Sequence, residues 1–93
     1  MKSINGAQIR AARALIRWSA EDLAIAAVVG ISTVRRAEAE DTTPSTTAAN
    51  LNAIQAVLEK AGIEFLAEAD GKGVGVRLAK PAESTAARRP DQL

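Results

Sequence analysis

Residues 31–36, ISTVRR, place a serine, a threonine and two successive arginines within six positions. Hydroxyls and guanidinium forks donate hydrogen bonds to phosphate oxygens and to the edges of nucleic-acid bases. Upstream, Arg10, Arg13 and Arg17 recur at i, i+3 and i+7, the spacing of one helix face. The types that most catalysis needs are missing, because the chain has no histidine, no cysteine and no tyrosine. Ser-His-Asp and Cys-His pairs, imidazole or thiolate metal sites and disulfides are thereby excluded. GKGVG, residues 71–75, is glycine-rich but lacks the strand–loop–helix setting and the Lys-Ser/Thr pair of a phosphate loop. A hairpin turn accounts for those glycines. The expectation is a binding protein, not an enzyme, with no cofactor and no metal.

Charge distribution says more than the net charge of +1. Residues 1–36 carry six basic against two acidic residues, a local balance of +4. Residues 37–70 carry one against seven, or −6, and residues 71–93 five against two, or +3. A basic first third beside an acidic middle fits a molecule with one anion-facing side, or charges that merely solvate faces. Alanine dominates the apolar 47%, and Trp18 and Phe65 are the two aromatics. Such a core is thin for 93 residues, so one small domain that associates with a second copy is expected. No apolar run approaches the ~18 residues of a membrane span, and no signal-peptide core is visible at the N-terminus, so a cytoplasmic protein is expected.

The elements that must position these side chains follow from periodicity. Residues 7–17 predict a helix with Ile9, Ala12 and Ile16 on one face and Leu15 beside them. Ser19, with Asp22 three residues on, predicts the cap of a second helix over about 20–27, whose inner face is Leu23, Ala24, Ala26 and Ala27. A third helix over 31–39 turns Val34 and Ala37 one way and leaves Ser32, Arg35 and Arg36 to point outward. Residues 41–47, DTTPSTT, predict a loop that Pro44 keeps from being helical. Residues 47–61 predict the most regular helix, with Leu51, Ile54, Leu58 and Ala61 on one face and Gly62 as its stop. The period then changes to two. Ile63 and Phe65, then Val74, Val76 and Leu78, predict a hairpin of about 63–68 and 74–79 around ADGKG. Residues 81–93 read as a mobile tail.

Two short helices joined by a tight reversal form a helix-turn-helix when a small residue lies inside the first and an apolar residue anchors the second. Ala24 and Val34 fill those places, Leu23 supplies packing, and the reversal falls within residues 27–31. The N-terminal end of the second helix must carry short polar or cationic groups to enter a major groove. Ile31, Ser32, Arg35 and Arg36 occupy it.

Arg10-x-x-Arg13, Trp18-Ser19-x-Glu21-Asp22-Leu23-Ala24 and Thr33-Val34-x-Arg36-x-Glu38 occur in that order between residues 10 and 38. In these motifs residues 7–41 resemble the Cro/phage-repressor-type (XRE) family of helix-turn-helix regulators. The resemblance covers just over a third of the chain, plus the helix at 47–61. It implies that Ile31, Ser32 and Arg36 face base edges and that Thr33 and Arg35 stand at phosphate or flanking-base positions. It also implies a structural ion pair between Arg13 and Glu38, tying the first helix to the third. Arg10 and Arg17 are candidate phosphate contacts, with solvated surface as the alternative. The chain departs from the family pattern at Ala20, where a phosphate-binding glutamine is usual, at Ala37, where a larger apolar residue is usual, and at Val28, in place of the turn glycine. Gly30 stands where a serine N-cap is common. Either Val28 takes a strained left-handed conformation or the reversal shifts so that Gly30 takes it.

The expected fold is mainly α, a small four-helix, repressor-like helix-turn-helix domain over residues 1–62. A β-hairpin over 63–80 extends it, and the tail is 81–93. The expected partner is double-stranded DNA bearing an inverted repeat, bound by a homodimer in which Ser32, Arg35 and Arg36 read the groove. Dimer contacts through the hairpin or the helix at 47–61 compete with a simple core-closing role for both. The alternative function is a protein-interaction module, antitoxin-like or adaptor-like, that keeps the fold. Ala20, Val28 and the near-neutral charge favour it.

Overall fold

The computed structural model describes residues 3–42 and 44–81 and contains four helices followed by a two-stranded antiparallel hairpin. The expected tail therefore lies almost wholly outside the described residues. Helix α1 is Gly6–Ile16. It begins one residue before the expected 7, because Asn5 and Gln8 form a capping box: Gln8 N–H donates to Asn5 Oδ1 and Asn5 N–H to Gln8 Oε1, both at 2.9 Å. Helix α2 is Ala20–Ala27, started by the reciprocal bonds of Ser19 and Asp22. Helix α3 is Ile31–Ala39, and α4 is Ala48–Lys60, whose cap Thr47 accepts from Asn50 N–H. Gly62, at φ 106°, then turns the chain into β1.

Strands β1 (Ile63–Leu66) and β2 (Gly75–Leu78) pair with Ile63 opposite Leu78 and Phe65 opposite Val76. Each strand is shorter than expected. Regular pairing ends at Leu66 and Gly75, whose carbonyls both accept from Gln8 Nε2, at 3.3 and 3.0 Å. Pairing returns in one bridge, Ala69 with Lys72. Asp70 and Gly71, both at positive φ (55° and 75°), close the tip as a two-residue turn that matches the twist of the strands.

The core takes one face from every helix and from β1. Ile4, Ile9, Leu23, Val34, Ile54 and Leu58 are its largest fully enclosed side chains, and Trp18, Ile63 and Phe65 close its edges. Burying each large aliphatic group contributes roughly 1.5–3 kcal/mol, which is what holds helices this short in place. Leu15, expected beside the buried face of α1, stands at its rim and is 44% exposed. No helix among the described residues is long and apolar enough to cross a membrane.

Candidate nucleic-acid interface

Helix α3 has two chemically different sides. Val34, Ala37 and Glu38 are buried, while Ser32, Arg35 and Arg36 are exposed on the opposite side. The spacing 32, 35, 36 is i, i+3, i+4, so these three side chains form one patch. Ile31 and Thr33 are half-buried at its margin, and Ile31 packs against the core. A bare helix with short side chains is about 10–12 Å across, the width of a DNA major groove. Arginine forks and a serine hydroxyl on that side supply the donors that base edges and phosphates accept.

The inward side of α3 is fastened to α1. Arg13 holds Glu38 with two hydrogen bonds, from Nε to Oε2 and from Nη2 to Oε1, the second at 2.9 Å. Its Nη1 donates to Trp18 O, also at 2.9 Å, so one guanidinium ties α1, the α1–α2 junction and α3 together. The hydrogen bonds to Glu38 raise the Arg13 pKa above its ordinary value, outweighing burial, so the group stays charged at any biological pH. Arg10 donates to Glu38 O and pairs with Asp41. Gly6 lies so close to the end of α3 that a Cβ there would sit 2.8 Å from both Ala37 O and Glu38 O and still nearer Glu40 O.

This geometry does not bring the expected arginine stripe together as one cationic surface. Arg10 and Arg13 are turned onto α3 and its C-terminal end, while Arg17 has left the helix. Arg17 is the C-cap of α1 in the left-handed region, φ 58°, exposed and without an ion pair among the described residues. Two of the four excess positive charges of the first third are thus matched by acids of the next segment, Asp41 and Glu38. Arg35 also has an acid nearby, Glu21 of α2, at 3.7 Å. Arg36 has no ion pair among the described residues.

The turn between α2 and α3 resolves the choice between Val28 and Gly30. Val28 takes the left-handed conformation, φ 57° and ψ 49°. Its N–H donates to Ile25 O at 3.3 Å, and Val29 N–H donates to Ala24 O at 3.1 Å, the pair of bonds that closes a helix with a left-handed residue. Gly30 instead has φ −70° and ψ 151°, the extended conformation of an N-cap, and supplies no side-chain hydrogen bond. Gly30 O accepts from Thr33 N–H and Val34 N–H. A β-branched residue at Val28's φ and ψ is strained by about 1–2 kcal/mol.

Sequence reasoning missed Gln8. The Asn-x-x-Gln spacing at residues 5–8 signals a capping box, but the further bonds from Gln8 to the hairpin reach across 58 and 67 residues and leave no local trace. Among the described residues no group of three acidic, histidine or cysteine side chains could hold a metal ion. A shallow depression at the hairpin tip is lined by Glu68, Ala69, Gly71, Lys72 and Gly73 and carries no buried polar group. Comparison with protein-family models and with curated proteins finds no match for the chain.

Proposed function

We propose that the chain is a sequence-specific DNA-binding regulator of transcription, a repressor of the Cro/phage-repressor-type helix-turn-helix family. In this reading α2, residues 28–30 and α3 are the helix-turn-helix, and α3 enters the major groove. One observation carries it: Ser32, Arg35 and Arg36 share an exposed face of a helix whose other face is fastened by Arg13 and Glu38. A base-reading side chain is useful only when its helix has a fixed orientation, and this ion pair supplies one. Thr33 and Arg17 take phosphate roles, whereas Arg10 serves first to hold the end of α3. The protein acts in the cytoplasm as a homodimer on an inverted repeat, with recognition helices ~34 Å apart.

Selecting genomic fragments with the purified protein tests this. The expected result is an enriched inverted repeat whose binding weakens steeply with salt and is lost in Arg36→Ala with the helical content unchanged. Failure to prefer any sequence over bulk DNA at ~0.1 M salt, where screening is moderate, would contradict it.

A second reading, a module that works through a protein partner, draws on α2. Ile25 is 65% exposed and Val28 88%, so two sizeable apolar side chains stand in solvent close to α3. Ala20 also lacks the phosphate-binding amide that α2 carries in the family. In that case Ile25→Ser would abolish function while DNA selection returned nothing.

A further inference from the structure

The two adjacent arginines of α3 have different neighbours. Arg35 Nη2 lies 3.7 Å from Glu21 Oε2, and both side chains are 64% exposed. Arg36 has no ion pair among the described residues. Glu21 stands in the first turn of α2, yet the cap of that helix is completed by Ser19 and Asp22. The Glu21 carboxylate is therefore not required to start α2; it lies beside Arg35, and its charge also reaches Arg13.

We infer that Glu21 sets the base preference and the affinity of the α3 face: it draws Arg35 toward α2 and leaves Arg36 as the side chain that reads a guanine. The inference rests on the reading of α3 as a major-groove helix. An arginine fork matches guanine O6 and N7, the commonest specific contact between a protein and a base. Two neighbouring arginines without other partners would both seek such acceptors. Arg35 must first release a carboxylate, and that carboxylate repels any phosphate brought near it. An exposed pair of this kind shifts an equilibrium by at most about fivefold, so Glu21 biases Arg35 without locking it. Each half-site then carries one strongly required guanine, beneath Arg36, and the protein binds DNA less tightly than its arginines would allow.

Glu21→Gln keeps the shape of the side chain and removes its charge, at an exposed position outside the cap. The test applies sequence selection and salt-dependent binding to the full chain, in the wild type, Glu21→Gln, Arg35→Ala, Arg36→Ala and the Glu21→Gln/Arg35→Ala double variant. The wild type is expected to select one dominant guanine per half-site, lost in Arg36→Ala, whereas Arg35→Ala is expected to keep that guanine and to weaken binding much less than Arg36→Ala does. Glu21→Gln should bind about threefold to fivefold tighter, with a salt slope steeper by about one per protomer, and should gain a second guanine preference. The double variant should lose all three gains. If Glu21→Gln matches the wild type in affinity, slope and base preference, the inference is wrong while DNA reading by α3 stands. A dominant guanine lost in Arg35→Ala rather than in Arg36→Ala also overturns it. If the wild type selects no sequence, the DNA reading itself falls, and the role of Glu21 falls with it.

Discussion

The two ends of α3 are built in opposite ways. At the C-terminal end, Gly6 allows backbone-to-backbone approach, Arg10 takes the Glu38 carbonyl and Asp41, and Arg13 takes the Glu38 carboxylate. At the N-terminal end the cap is a glycine without a side-chain bond, and the residue that closes the preceding helix is a strained valine. One end is held by side chains and backbone of α1; the other is held by the backbone bonds of the turn and by Val29 and Ile31 against the core. Under the DNA-binding proposal, orientation is set through the buried side of the last turn, at Glu38, while Ser32, Arg35 and Arg36 keep the outward side of the helix free. If α3 is a DNA-reading helix, as proposed, the strained Val28 stands just before it, in keeping with the tendency of such strain to collect at sites of action.

That asymmetry gives a ranked set of stability changes, measurable by urea or thermal unfolding. Gly6→Ala is expected to have the largest effect, a loss of about 3–5 kcal/mol, because the added methyl meets the carbonyls of residues 37, 38 and 40 and only backbone movement can relieve it. Glu38→Ala should cost about 3 kcal/mol. It strands the Arg13 charge, whose side chain is 21% exposed, and partial solvation keeps the loss at the low end for a broken buried pair. At the other end the sign reverses. Val28→Gly should stabilise by about 0.5–1 kcal/mol, the relieved strain being partly offset by the greater freedom of an unfolded glycine. Gly30→Ser should add only a few tenths of a kcal/mol, as a hydroxyl reaches the amides of the first turn. A Cβ at Gly30 meets nothing closer than 3.9 Å, so space does not oppose the change. Equal losses at both ends, or a destabilising Val28→Gly, would show that the two ends of α3 are fastened alike.

The well-fastened end is legible only in part: the family resemblance implies the Arg13–Glu38 pair, but nothing local marks the roles of Gly6 and Arg10. Starts and stops marked by local chemistry were legible. Ser19 with Asp22, Thr47, Gly62 and the Asp70-Gly71 turn each carry their own signal, and the four helices and the hairpin fall within a few residues of expectation. Gly6 gave no such sign, since its need is a neighbour's backbone from 31 to 34 residues away and not its own dihedral angles. Arg10 looked like one member of a surface stripe because periodicity orders side chains around one helix and says nothing about which helix they face. Val28 and Gly30 could not be separated in advance, because glycine suits both the left-handed position and the cap. The structure gives Gly30 the cap and leaves valine the strain. On the outward face, Ser32, Arg35 and Arg36 were legible as a group, but the closeness of Arg35 to Glu21 needed the packing of α2 on α3.

In the proposed function the exposed face of α3 reads DNA while its buried face, through Glu38, holds the helix in place. Titration of labelled DNA carrying the selected repeat with the wild type and Arg36→Ala, at two salt concentrations, tests it most directly. The expected result is a salt-sensitive wild-type complex that Arg36→Ala weakens by at least tenfold, with no change in unfolding midpoint, because Arg36 is exposed and outside the core. Arg36→Ala binding the same DNA as tightly as the wild type would contradict it.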